Sequence, residues 1–105
     1  MSNDKALEVL NQIQKALEDY QTGYANSEAI RVIDGLLREV RNSAEAPANL
    51  VGEKLSSIRE LVGIVFSSRK HQRYGGVESV KSSILRDLAS LRIILSRRSN
   101  AEESQ

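Results

Sequence analysis

Apolar residues recur at Ala6, Leu10, Ile13, Leu17, Tyr20 and Tyr24, in steps of four and three. That spacing stacks side chains on one face of an α-helix and predicts helix 1 over residues 4–21. Ser2, Asn3 or Asp4 can cap its first turn, and Gly23 can end it in the left-handed conformation. A second stripe, Ile30, Ile33, Leu37 and Val40, widened by Ala29 and Leu36, predicts helix 2 over 27–42 behind an Asn26 or Ser27 cap.

Pro47 lacks an N–H and has a fixed φ, so it belongs at the start of a new helix. Residues 43–46 are then a link, and the stripe Val51, Leu55, Ile58, Val62 and Val65 predicts helix 3 over 47–70. Beside that stripe runs a row of small residues, Gly52, Ser56, Gly63 and Ser67. With Phe66, this row is the candidate helix-packing interface. Each helical Gly costs about 1 kcal/mol relative to Ala, so Gly63 marks either a tight crossing with a neighbour or a tolerated defect.

The apolar pattern stops after Phe66, and Gly75-Gly76 breaks the chain. Val77, Val80, Ile84, Leu88, Leu91 and Leu95, broadened by Leu85, Ile93 and Ile94, predict helix 4 over 77–97, leaving 99–105 as a flexible acidic tail. Four stripes joined by short links predict an all-α fold, a four-helix antiparallel bundle running up-down-up-down as a single domain over 1–98. Two hairpins from two chains would use the same stripes, so a helical dimer stays open beside the closed monomer.

Composition narrows the chemistry. The 105 residues include no Cys and one His, which removes disulfides, thiolate sites and any metal site needing two imidazoles. The expectation is therefore no metal, no cofactor and no enzymatic activity. His71 is the one candidate for a catalytic dyad, and the nearest acids in sequence are Glu60 and Glu78, neither placed to orient it. Gly75-Gly76 lacks the further residues of a phosphate loop. Asp34 and Asp87 lie beside apolar seams and are expected to form ion pairs at the core edge, with Arg59 or Arg38 as partners.

No signal peptide is visible, and the longest stretch without a polar side chain, Leu61–Phe66, is far short of the roughly 20 residues that span a bilayer. The expected setting is cytoplasmic, with no membrane partner. Charge is uneven: residues 1–52 hold five bases and eight acids, and residues 53–98 hold ten bases and four acids.

Arg69, Lys70, His71 and Arg73 run without an acid and are followed by Tyr74, which can stack on a base. On a helix 3 about 40 Å long this end would overhang the bundle; otherwise it unwinds into a loop. Arg86, Arg92, Arg97 and Arg98 on helix 4 could add to its field. Cations at a helix C-terminus also have a plain stabilising role. The pattern points first to a non-enzymatic module for protein–protein interaction or self-association, a homodimer included. The alternative is a nucleic-acid-binding accessory protein using residues 69–76 and helix 4.

Overall fold

The computed structural model of the chain describes residues 3–103, with side chains described over 3–96. It is all-helical: α1 Asp4–Asp19, α2 Ser27–Ser43, α3 Ala48–Val65, a 3-10 helix Lys70–Tyr74, and α4 Val77–Glu103. Neighbours in sequence are neighbours in space, α4 returns to α1, and the diagonal pairs α1–α3 and α2–α4 do not approach. The arrangement is the antiparallel up-down-up-down bundle.

The local chemistry of the helix ends explains the boundaries. Asn26 caps α2 by accepting a 3.0 Å hydrogen bond from the Ala29 N–H. Helix α1 stops at Asp19 because Tyr20 is extended, with ψ at 141°. Gly23, at φ 85°, serves the following turn instead, and its N–H donates to the Val65 carbonyl at 2.8 Å, tying that turn to the end of α3.

Asn3 has an unexpected role. Its side chain does not cap α1. It is buried, donates to the Leu95 carbonyl at 3.0 Å and accepts from the Glu45 N–H at 2.6 Å. One amide thus pins α4 and the α2–α3 link to the start of α1.

Helix α3 corrects the sequence expectation of 47–70. It ends at Val65, where the Ser67 hydroxyl donates to the Ile64 carbonyl. A continuing helix would give that carbonyl to a backbone N–H, so the serine competes with propagation just where the apolar stripe runs out. The chain tightens into the 3-10 helix, which lies back against α3 and α4, and reverses through Gly75 and Gly76 at φ 89° and 99°. No part of α3 overhangs.

The long helix is α4, which continues eight residues past Leu95 to Glu103, beyond the predicted end at 97. The expected tail is thus helical as far as Glu103. Its last two positions lie outside the described residues, as do the side chains of Arg97 and Arg98.

The core is aliphatic, as the stripes require: Leu10, Ile13, Leu17, Ile33, Ile58, Ile84, Leu88, Leu91 and Leu95 are its largest fully buried side chains. Each such side chain contributes roughly 1.5–3 kcal/mol relative to exposure. Phe66 closes one end, edge-on to Tyr20 with ring centroids 6.5 Å apart. The stripes are narrower than expected in two places. Tyr24 is 60% exposed, and Leu85 and Ile93, expected to broaden the α4 seam, are 38% and 53% exposed.

Candidate interaction surfaces

A polar contact crosses each of the four seams between adjacent helices. Lys5 and Glu39 face each other across α1–α2 at 3.4 Å, and Arg92 donates to Gln14 at 2.7 Å and Asn11 at 3.1 Å across α1–α4. Across α3–α4 the Asp87 carboxylate accepts from the Ser57 hydroxyl at 2.7 Å and meets the Lys54 ammonium at 3.8 Å. Asp87 therefore pairs with Lys54 rather than with the expected Arg38 or Arg59. Across α2–α3, Asp34 does take both expected partners, Arg59 at 2.9 Å and, more loosely, Arg38 at 3.7 Å.

The two hairpins α1–α2 and α3–α4 pack along their length, whereas α1 and α4, and likewise α2 and α3, touch over a smaller surface. Between α2 and α3 lies a cavity of about 330 Å³ lined by Asp34, Leu37, Arg38, Arg41, Leu55, Ser56, Arg59 and Glu60. A second, of about 310 Å³, is lined by Arg41, Ala44, Ala46, Ala48, Val51 and Gly52. Arg41 borders both and stands between them, so the two lie end to end along the seam.

Half of the predicted small-residue row lines this groove. A Cβ on Gly52 would meet no atom within 4 Å, and Ser56 is exposed. These residues leave space beside α2 instead of drawing it close. Gly63 is not at a tight helix crossing either: its nearest neighbour is the Arg59 guanidinium, 3.5 Å from where a Cβ would sit. A Cβ there would make only ordinary van der Waals contact with Arg59, which reaches Asp34. Ser67 is spent on the end of α3, and Phe66 is buried in the core of this same chain.

The basic segment sits at the opposite end of the bundle from the α2–α3 link. Arg69, Lys70, Arg73 and Tyr74 are exposed, and the three cationic side chains form no ion pair with any described residue. The turn carrying Tyr24 lies at the same end, since Gly23 packs against both Val65 and Val77. His71 is half-buried, and its buried Nδ1 has no hydrogen-bond partner, so no carboxylate orients the imidazole.

Helix α4 carries Lys81 and the exposed Arg86, about 8 and 15 Å along the helix from Gly76 at the usual rise, and then runs away from the basic segment, placing Arg92 about 24 Å from Gly76, where it is held by Asn11 and Gln14. Its outer face also carries Leu85, Ala89 and Ile93, one helical turn apart and all exposed.

Among the described residues no three His, Asp or Glu side chains gather as a metal-binding group, and no helix is long and apolar enough to cross a membrane. Sequence reasoning missed Arg41 and the alanines of the link. The alternation of Ala44, Ala46 and Ala48 with Glu45 and Pro47 was the available signal, an extended strip with one smooth side. The chain matches no protein-family model, no curated protein and no solved structure.

Proposed function

We propose that this chain is a non-enzymatic helical interaction module, working in the cytoplasm, which receives a protein partner or a second copy of itself along the α2–α3 groove. The observation that carries the reading is the open seam. A bundle selected only for stability gains by closing such a gap, since each unfilled contact forfeits dispersion energy. Here small residues and arginines hold it open instead.

The test is a photo-crosslinking amino acid placed at Ser56 in cells, with the exposed Glu8 on α1 as the control position. A covalent adduct of defined mass from position 56 and none from position 8 is expected. A strictly monomeric protein by light scattering after gel filtration, with no adduct at 56, would sink the reading.

A second reading is favoured by one specific observation. Three cations without an ion pair among the described residues and two exposed tyrosines, Tyr24 and Tyr74, share one end of the bundle, and cations beside stacking groups suit a nucleic acid. The 3-10 helix supports this reading, with the exposed Arg86 of α4 as an added cation. Such binding would weaken steeply with salt and be lost when Arg69, Lys70 and Arg73 are replaced by Ser, while docking in the groove would survive both changes.

A further inference from the structure

We infer that the α2–α3 groove takes an acidic amphipathic helix from a different protein, its apolar side against the link alanines, Leu37 and Leu55 and its carboxylates toward Arg38 and Arg41. This rests on the interaction role proposed above and names the partner's chemistry.

Shape comes first. On α3 the lining extends from Ala48 to Glu60, about 18 Å at the usual helical rise, or about three turns. At the link end its floor carries no bulky protruding side chain, since Gly52 is open and the link contributes only alanine methyls, while the Asp34–Arg59 ion pair crosses the other half. Helix axes pack about 8–10 Å apart, at the short end where small residues meet, so a third helix can settle along this seam. Helix-in-groove docking of this kind uses apolar anchors one turn apart.

Charge then selects the occupant. Arg41 stands between the two cavities without an ion-pair partner among the described residues, and Arg38 is 74% exposed and only loosely held by Asp34. Carboxylates flanking an apolar stripe would complete both guanidinium groups, and Arg binds carboxylates in a planar fork. A nucleic acid fits less well, because the lining offers no aromatic side chain on which a base could stack. A second copy also fits less well. The apolar outer face of this chain's own α4 is flanked by Arg86 and Arg92, which would bring cations against cations.

The experiment is a selection for binding to the full chain from a displayed library of helix-forming peptides about 20 residues long, enough to cover the groove. Enriched peptides are expected to carry apolar residues at i, i+3, i+4 and i+7 with Asp or Glu beside them. Binding of the best peptide, read by fluorescence anisotropy, should weaken about tenfold with Arg41→Glu and by at least as much with Ser56→Trp, which fills the cavity. Both positions are exposed; circular dichroism checks the fold, and Arg41→Glu keeps the test valid if Ser56→Trp unfolds. Substituting Arg69 and Arg73 with Ser should leave peptide binding unchanged.

Enrichment of Lys- and Arg-rich peptides, indifference to both groove variants, or no enrichment at all would overturn the inference. So would tighter binding of a labelled duplex DNA or single-stranded RNA that depends on Arg41. The crosslink at Ser56 separates the two levels: an adduct there with basic or groove-insensitive peptides removes only the acidic helix, whereas no adduct together with a strictly monomeric protein removes the interaction role itself.

Discussion

Helix α3 meets α4 on one side and α2 on the other, and the two sides are built differently. Toward α4, Ser57 and Lys54 converge on an Asp87 side chain only 15% exposed, above closely packed Val and Ile. Toward α2, Gly52 and Ser56 leave the seam unfilled, and the ion pair that spans it, Asp34 with Arg59, is 34% and 45% exposed. The same helix therefore closes one interface and leaves the other as a groove. Burial of polar partners goes with tight packing, and solvated arginines go with the open side.

The largest expected effect is in the shared core. Ile58→Ala should cost about 2–5 kcal/mol in urea unfolding, since Ile58 is fully buried. A much smaller cost would mean that the closed side of α3 is looser than its contacts suggest. Asn3→Ala comes next, at about 1–3 kcal/mol, because the Leu95 carbonyl and Glu45 N–H lose their partner in a buried site.

The two aspartates probe the contrast directly. Asp87→Ala should destabilise by about 1–3 kcal/mol, and Asp34→Ala by less than about 1 kcal/mol, the difference reflecting their exposure. Equal losses would break the comparison. Smallest is Gly52→Ala, which should raise stability by up to about 1 kcal/mol through helix propensity, as a Cβ there meets open space. A fall in thermal midpoint for that variant would show the seam closed in solution. Gly75→Ala, at φ 89° and with Ser79 3.1 Å from the new Cβ, should fall instead, by about 1 kcal/mol or more.

Four amphipathic stripes were legible because each helix obeys one period, and residues such as Leu10, Ile33, Ile58 and Leu88 stayed where the period put them. The Asp34 pairing was legible for a related reason, since a carboxylate beside a seam needs a cation within reach. The basic segment was visible as an acid-free run. Whether it overhangs or folds back was not legible, because periodicity fades without saying whether a helix continues; the chain leaves α3 at Phe66, where the Ser67 hydroxyl takes the Ile64 carbonyl.

What the chain determines on its own is the helix count, the apolar faces, the absence of Cys and the single His, all consequences of composition and local spacing. Tertiary structure alone decided what the small residues of α3 do. Small side chains permit close approach but do not compel it; where neighbouring helices settle depends on the summed packing of four faces at once. In this bundle that sum drew α3 to α4 and left Gly52, Ser56 and Arg41 along an open groove.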